Sequence, residues 1–388
     1  MKKIAYFIIG LVIAAALQSC KEDPRLDHHD ANAPAPAQVT DFKQENTPGG
    51  ANIIYRLNAD VNLAYLKAIY EIQPGVFKET KSSVYTDTLK LEGFGDTREY
   101  DVKIYSVGKN EKESAPVIVK IKPLPPPVTL AFNDLSIEPG FGGVKVRIKN
   151  ELQASLAIVI DADTSGSGLL RPLQTFYTKS AAGSYSVRGL TATPKKFSVY
   201  LRDRWGNKSQ AIVKDLTPLF EQRVPKPFAM YALPTDQAAL APNVLANIWD
   251  GLVNLNIYAS ANNSPIPQWF TVDLKIPVVL SRMKMHQRTP PYTYTGANVK
   301  VFELYGSNAP ALDGSWASWT LIGKFESFKP SGSVGVTKED EAYGFTNGED
   351  FEMPDTPPAY RYLRFKTLET WGGTGQVTLA EITFWGKL

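Results

Sequence analysis

The sequence predicts an all-β protein in which two tandem β-sandwiches precede a jelly-roll β-barrel. Apolar and charged residues alternate with a period of two in stretches such as GVKVRIK (Gly143–Lys149), as in a strand with one buried face. Glycine and proline occur 28 times each, which favours many turns. Two similar stretches, Tyr100–Ser114 and Phe197–Ser209, lie about one hundred residues apart and predict a repeated unit.

The composition fits a folded protein and excludes one class of partner. Of the 388 residues, 43% are hydrophobic and 21% are charged, which is enough apolar material for a core. The net charge is +3, and removing Lys2 and Lys3 from the 42 basic residues leaves 40 against 39 acidic ones. A chain this close to neutral lacks the basic surface that binds nucleic acid, so no nucleic-acid partner is expected.

Residues 1–20 form a predicted signal peptide with two lysines, an apolar run and a final cysteine. The apolar run is too short for a stable membrane span. Cys20 is the only cysteine, which excludes an intrachain disulfide and a cysteine-based zinc site. LQSC (Leu17–Cys20) resembles the bacterial lipobox, in which the cysteine is lipidated, and several acyl chains anchor a protein durably. An ordinary secretory peptide is the alternative.

Residues 21–38 form a predicted flexible tether, polar and rich in proline and alanine. Its first residues, Lys21-Glu22-Asp23, resemble the signal that sends Bacteroidetes lipoproteins to the outer face of the outer membrane. We therefore expect a lipid-anchored protein that faces the cell exterior.

Two sandwich modules are expected at 39–123 and 124–220. KPLPPPV (Lys122–Val128) predicts a stiff joint between them. Trp205 lies in the turn RDRWGN, and we expect it to pack on its own hairpin. In layout and turn pattern the modules resemble the fibronectin type III-like modules of Bacteroidetes surface lipoproteins.

The third unit, 221–388, contains six of the seven tryptophans. Four stretches occur in order: NIWDGLVNLNIYAS, PQWFTVDLKIPVVLSRMKMHQR, VKVFELYGSNAP with SWASWTLIGKF after it, and RYLRFKTLETWGGTGQVTLAEITFWG. Together they resemble the discoidin-like domain (coagulation factor type C, galactose-binding-like) in its variant from Bacteroidetes polysaccharide-utilisation lipoproteins. The resemblance covers about 228–388 and implies a jelly-roll-like barrel with ligands at the loops of one end.

Strand patterns in this unit agree with the resemblance. Phe270, Val272 and Leu274 alternate with polar neighbours and are expected in the core. The stretches YLRF and EITF, which begin at Tyr362 and Glu381, are expected to pair as antiparallel neighbours. Trp385 in the last strand is expected to plug the barrel end.

Candidate ligand-binding residues lie in three loops of the third unit. Trp371 stands among glycines in ETWGGTGQ, where an indole can stack on the C–H face of a sugar. The predicted partners are Arg288, Tyr292 and Tyr294 in HQRTPPYTYTG, and Trp249 and Asp250 in NIWDG. Ordinary surface or core packing is the alternative for each of them. Trp316 and Trp319 are expected to pack within their own loop.

One metal site follows from the resemblance alone. The discoidin-like family sometimes carries a structural calcium beside its Asp-Gly loop, and Asp250 with Glu381 would match that site, completed by carbonyl oxygens. No other cofactor is expected.

Taken with these patterns, the resemblance implies a non-catalytic, cell-surface glycan-binding lipoprotein. No G-x-S-x-G, P-loop or dinucleotide motif occurs, and His286 is the only histidine in a predicted folded region. The resemblance implies polysaccharide or oligosaccharide as ligand, the outer membrane as anchor, and a Sus-type importer with SusC/SusD-like proteins as partner. A surface adhesin or assembly protein that binds a protein partner is the alternative, and an enzyme or glycoside hydrolase accessory is less favoured.

Overall fold

The computed structural model describes residues 30–254, 256–353 and 357–388. The described chain is built almost entirely of antiparallel strands, which confirms the all-β prediction. Its buried apolar side chains form three separate clusters, one in each of three successive strand groups. The signal peptide, Cys20 and the first part of the tether lie outside the described residues. Within the described residues, no helix is both long and apolar enough to cross a membrane.

The first sandwich packs two sheets, with strand orders β1-β2-β5 and β4-β3-β6-β7, around one apolar cluster. Ile53 and Leu89 enter this cluster from the first sheet, and Leu66 and Ile104 enter it from the second. The strands are β1 (Phe42–Thr47), β2 (Gly50–Tyr55), β3 (Leu63–Gln73), β4 (Val76–Ser83), β5 (Thr88–Glu92), β6 (Tyr100–Gly108) and β7 (Val117–Ile121).

The second sandwich repeats this plan with sheets β12-β9-β8 and β11-β10-β13-β14. The joint differs from its prediction, because the last prolines of KPLPPPV begin a short helix, α1 (Pro127–Phe132), in which proline at the first position needs no hydrogen-bond donor. The strands are β8 (Ser136–Gly140), β9 (Gly143–Lys149), β10 (Leu156–Ala162), β11 (Arg171–Thr178), β12 (Ala182–Val187), β13 (Lys195–Asp203) and β14 (Ile212–Leu216).

The third group forms a barrel-like fold around a sheet ordered β15-β24-β18-β22-β19-β20. Strand β16 and strand β21 also pair with β18, while β17 pairs with β23. The strands are β15 (Gln222–Arg223), β16 (Ala229–Met230), β17 (Tyr258–Ala259), β18 (Gln268–His286), β19 (Val299–Ser307), β20 (Thr320–Glu326), β21 (Glu349–Glu352), β22 (Tyr360–Thr370), β23 (Thr378–Leu379) and β24 (Glu381–Lys387). The helical segments are 3₁₀ turns at Leu245–Trp249 and Trp316–Ser318, the short helix α2 (Lys338–Asp340) and a π-helical stretch, Glu341–Asn347.

The predicted pairing of the last two long strands is wrong, because β18 lies between them. The first half of this 19-residue strand pairs with β22, with Phe270 opposite Phe365. After an irregularity in register, its second half pairs with β24, with Met283 opposite Phe384. A strand of this length, interrupted by bulges, can pair with a different strand along each half.

The prediction that Trp385 plugs the core is also wrong. Side chains alternate along a strand, and Phe384 takes the inward position in the apolar cluster. Trp385 points the other way and is half-buried, with the Arg282 guanidinium 3.7 Å from its ring centre. It is therefore a stacking partner of a cation on the outer side of the sheet.

Trp205 joins the two sandwiches, which corrects the expectation that it packs on its own hairpin. Its indole packs against the core of the first sandwich, and a Cβ on Gly93 would lie 3.0 Å from the indole ring. In the same turn, Asn207 donates to the Gly93 carbonyl at 3.0 Å and accepts from the Gln73 amide at 3.0 Å. The sequence of the turn predicts only its local shape, whereas the residues that Trp205 and Asn207 contact lie more than one hundred residues away.

Residues 30–38 follow the surface of the first sandwich, so the predicted flexibility does not extend to them. Asn110 Nδ2 donates to the Ala33 carbonyl at 2.9 Å, and Asn62 Nδ2 donates to the Pro34 carbonyl at 2.9 Å. At the end of the segment, Gln38 Nε2 donates to the Ala115 carbonyl at 2.9 Å. Side-chain amides on both sides thus satisfy backbone carbonyls across the contact between this segment and the sandwich.

Charged side chains hold the barrel against the second sandwich. Glu221 is nearly buried, accepts from Arg188 at 2.6 Å and accepts from the Ser281 hydroxyl at 2.5 Å. Glu352 accepts from the Ser186 hydroxyl at 2.8 Å and lies 3.4 Å from Lys145. Because these contacts join both sides, they help to fix the orientation of the barrel and its loops.

Candidate functional site

Two loops of the barrel lie side by side at one end of the fold. One connects β18 to β19 (residues 287–298) and the other connects β22 to β23 (residues 371–377). The Trp371 N–H donates to the Asn298 carbonyl at 2.9 Å, and the Gly372 N–H donates to the Gly296 carbonyl at 2.7 Å. A Cβ on Gly372 would lie 2.6 Å from the Gly296 Cα, so this close approach requires glycine.

Asn298 organises the longer loop from inside. Its side-chain oxygen accepts from the Arg288 N–H at 2.9 Å. Its amide donates to the carbonyls of Tyr292 at 2.7 Å and Thr295 at 3.0 Å. Because Asn298 is buried, these bonds replace the water that a free loop would use. The loop is therefore held in one arrangement despite its irregular backbone.

Trp371 is held in place by three neighbouring side chains. The Tyr294 ring stands edge-on to it, with centroids 5.0 Å apart and an interplanar angle of 82°. Its Nε1 donates to the Ser327 hydroxyl at 3.3 Å, and the Lys300 ammonium lies 5.8 Å from its ring centre. The indole remains half-buried. It is a rigid aromatic side chain that solvent still reaches.

Arg288 and Tyr292 form a second exposed element beside it. The Arg288 guanidinium lies 4.2 Å from the centre of the Tyr292 ring, a cation–π distance. Tyr292 is 49% exposed, whereas Tyr294 in the same loop is buried with its backbone in the left-handed region at φ 53°. This contact holds the guanidinium against the exposed tyrosine ring.

A buried carboxylate lies beneath Trp371. Glu349 is 2% exposed and accepts from the Ser327 hydroxyl at 2.7 Å, the Gln287 amide at 3.1 Å and the Phe328 N–H at 2.9 Å. Burial raises the pKa of Glu349, and these hydrogen bonds lower it in part. Through Ser327, the carboxylate is connected to the indole N–H of Trp371.

Sequence reasoning missed the third loop of this end. Phe328 is largely exposed and meets the edge of Tyr343, with centroids 6.4 Å apart. The signal that could have found Phe328 is a large apolar residue in the turn-rich stretch SFKPSGSV. Nothing local points to Glu349, Ser327 or Gln287, because only the fold brings them together.

Trp249 and Asp250 belong to a different environment from the other predicted ligand residues. Trp249 ends the 3₁₀ turn Leu245–Trp249, is 5% exposed and packs edge-on against Phe228 with centroids 5.8 Å apart. The Asp250 carboxylate accepts from the Leu252 N–H at 2.7 Å and the Asn256 amide at 2.7 Å. The structure thus places Arg288, Tyr292 and Tyr294 on a loop that is hydrogen-bonded to the loop of Trp371, and it places Trp249 in the barrel core.

Asp250 and Glu381 do not fit a calcium ion. Glu381 is buried, and the Lys226 ammonium donates to its Oε1 and also, at 3.0 Å, to the Thr383 hydroxyl. A positive side chain therefore occupies the position at which a bound cation would neutralise Glu381. In the described part of the chain, no group of three or more His, Cys, Asp or Glu residues is arranged to hold a metal.

His286 has a structural environment. Its Nδ1 is 2.8 Å from the Phe345 carbonyl, to which it donates. A Cβ on Gly348 would lie 2.6 Å from the other ring nitrogen, so the π-helical segment closes over the ring. Burial lowers the pKa of His286, which keeps the ring neutral near pH 7.

Comparisons with known proteins place these features in a family. Three family models match the chain, each described as a domain of unknown function: DUF4959 at 36–123, DUF5126 at 124–227 and DUF5000 at 246–386. No curated protein matches it. One solved structure, described as a SusE-like protein, is 31% identical and covers 68% of this chain and 99% of its own, with a TM-score of 0.45. On this identity over the relative's whole length, the chain belongs to the SusE-like family.

At lower identity, this chain is also similar to smaller lectin-type domains of known structure. A CBM32 domain from a family 31 glycoside hydrolase of Clostridium perfringens is 21% identical and covers 39% of this chain and 87% of its own, with a TM-score of 0.30. A fucolectin from striped bass serum is 13% identical and covers 66% and 85%, with a TM-score of 0.28. At these identities and TM-scores, neither likeness indicates which ligand this chain binds.

Proposed function

We propose that this SusE-like protein is a non-catalytic glycan-binding protein whose binding site is the loop cluster of Arg288, Tyr292 and Trp371, with the buried Tyr294 supporting Trp371. The observation that carries the proposal is a partly exposed indole held by Tyr294 and Ser327, with the Arg288–Tyr292 cation–π pair on the adjoining loop. Both lie on loops held together by backbone hydrogen bonds.

This arrangement has the chemistry that sugars require. The apolar C–H face of a sugar ring stacks on an indole or a phenol ring, and its hydroxyls accept from N–H donors and donate to oxygens. Trp371 and Tyr292 supply the rings, while Arg288 supplies donors in a fixed plane. A site built on prearranged loops loses little conformational freedom on binding, which favours affinity.

Affinity electrophoresis tests the proposal with the chain from Lys21 onward. Native gels would contain arabinogalactan, galactomannan, xyloglucan, amylopectin or mucin. We expect at least one polysaccharide to retard the wild type, and Tyr292→Ala to reduce that retardation. Tyr85→Ala is the matched control, because Tyr85 is 94% exposed on the first sandwich. Equal retardation of Tyr292→Ala, Trp371→Ala and wild type would contradict the loop site.

We further propose that a lipid on Cys20 anchors the protein at the outer face of the outer membrane, beside a Sus-type importer with SusC/SusD-like proteins. Membership of the SusE-like family and the sequence LQSC-KED support this placement. Cys20→Ala is expected to abolish acylation and release the protein from the membrane. Protease treatment of intact cells should remove the wild type, and protection until the cells are lysed would contradict the outward orientation.

A further inference from the structure

A second group of aromatic and charged side chains lies on the outer face of the barrel sheet. Trp269 on β18 is opposite Lys366 on β22, and Lys366 is opposite Glu303 on β19. Tyr305, two residues after Glu303, points to the same face because side chains alternate along a strand. Three adjacent strands thus present a row of partly exposed side chains away from the core.

Trp316 lies against this row and remains partly exposed. Its ring meets Trp269 edge-on with centroids 5.0 Å apart, and Tyr305 with centroids 4.7 Å apart. Arg364 and Lys366 rise from the same strand to 4.7 Å and 5.3 Å from the Trp316 ring centre. Because these contacts leave the indole only half-buried, solvent still reaches part of it.

The platform formed by Trp269, Trp316 and Tyr305 is rigid because of the residue beneath it. Arg364 is fully buried, with its guanidinium also 4.4 Å from the Trp319 ring centre. It donates to the Gly314 carbonyl at 3.1 Å and lies 3.5 Å from Asp236. These contacts fix the loop that carries Trp316, so the prediction that Trp316 and Trp319 pack only within their own loop is incomplete.

Polar groups border the platform. Glu303 accepts from the Lys366 ammonium at 2.9 Å and from the Tyr305 hydroxyl at 2.8 Å. Lys366 and Glu303 neutralise each other, and the exposed Lys324 opposite Glu303 on β20 adds one positive charge, so this border carries donors and acceptors with a small net charge. Such a border suits the hydroxyl groups of an uncharged ligand.

We propose that this platform is a second carbohydrate-binding surface, which takes a neutral oligosaccharide segment by stacking on Trp316 and Trp269. It shares its ligand class with the loop site and in that respect rests on the proposed function. Lys366 lies five residues before Trp371 on the same chain segment, about 16 Å at roughly 3.3 Å per strand residue. A polysaccharide can therefore contact both surfaces, and the second contact becomes intramolecular once the first has formed.

Affinity electrophoresis of single and double variants tests this second surface. In the gels that retard the wild type, we expect Trp316→Ala and Trp371→Ala each to weaken retardation several-fold, and the double variant to abolish it. Leu312→Ala is the control, because Leu312 is 79% exposed in the same loop and lies outside the platform. A folded Trp316→Ala variant that is retarded like the wild type would overturn the second surface.

If Trp316→Ala exposes Arg364 and unfolds the barrel, two milder variants test the second surface instead. Tyr305→Phe and Glu303→Gln retain the aromatic stack and alter only the polar border. At an unchanged Tm, weaker retardation of these variants supports the platform, and unchanged retardation contradicts it.

The two proposals fail in different ways. Loss of all retardation in Trp371→Ala, with none lost in Trp316→Ala, would retain the loop site and exclude the platform. The reverse result would retain the platform and exclude the loop site. A wild type that none of the five polysaccharides retards would contradict both.

Discussion

Trp249 and Trp371 have similar local sequences and opposite environments. Each stands next to a turn-forming residue, in NIWDG and in ETWGG. Trp249 is buried against Phe228 in the barrel core, whereas Trp371 remains half-buried at the rim, where its N–H donates to Ser327. Local sequence identifies a tryptophan in a turn, but residues distant in sequence decide which way it points.

The two tryptophans also differ in what supports them. Apolar side chains surround Trp249, so its contribution is to the stability of the fold. Trp371 rests on a polar path from Ser327 to Glu349 and on the edge of Tyr294. Polar support fixes an aromatic ring without burying it, which is the condition for a binding surface.

Trp249→Ala is expected to have one of the largest effects on stability. Removing a buried indole from the core should lower the free energy of unfolding by about 3–5 kcal/mol. Urea denaturation measures this loss, and Trp371→Ala is the matched control, with a much smaller change expected. Equal losses of unfolding free energy in the two variants would contradict the assignment of Trp249 to the core and of Trp371 to the partly exposed loop.

Lys226→Met should also cost about 3–5 kcal/mol, because it leaves the buried Glu381 without its positive partner. The double variant Lys226→Met/Glu381→Gln should recover much of that loss. Since Lys226 supplies the cation, EDTA and calcium should leave the Tm of the wild type unchanged. A fall in Tm with EDTA would instead indicate a structural metal near Asp250.

Trp385→Ala should have a smaller effect than Trp249→Ala. The indole is half-buried and stacks on Arg282, a contact worth about 0.5–2 kcal/mol. A loss of about 1–2 kcal/mol in urea denaturation is expected. A loss as large as that of Trp249→Ala would mean that Trp385 acts as a core residue after all.

The buried carboxyl of Glu349, beneath Trp371, predicts that the stability of the fold depends on pH. Folding raises the pKa of this carboxyl, so the folded state binds its proton more tightly than the unfolded state does. The free energy of unfolding should therefore fall as pH rises from about 4.3, the ordinary glutamate value, through the raised folded value. Glu349→Gln should flatten this part of the profile, and an unchanged slope would contradict the assignment.

The sequence predicted the strands, because strands follow a local pattern of alternation. Period-two alternation correctly placed Phe270, Val272 and Leu274 in the core. It did not predict that β18 separates β22 from β24, since alternation identifies a strand and not its neighbour.

The candidate site shows the same limit. Aromatic residues in two proline- or glycine-rich loops indicated Tyr292, Tyr294 and Trp371, and the structure shows contact between the rings of Tyr294 and Trp371. Glu349, which supports Trp371 through Ser327, follows the π-helical segment in sequence and carries no local signal. Sequence reasoning could therefore identify the aromatic residues of the loops, but it could not identify the buried Glu349 and Ser327 that hold Trp371 in place.

Calorimetric titration of wild type and Trp371→Ala with the polysaccharide that retards the wild type tests the central claim most directly. Truncating a desolvated aromatic anchor should weaken binding by roughly 1–3 kcal/mol. The Tm of the variant should fall much less than that of Trp249→Ala. Unchanged affinity, together with a large loss of Tm, would show that Trp371 is a packing residue and would contradict the glycan-binding site proposed at this loop.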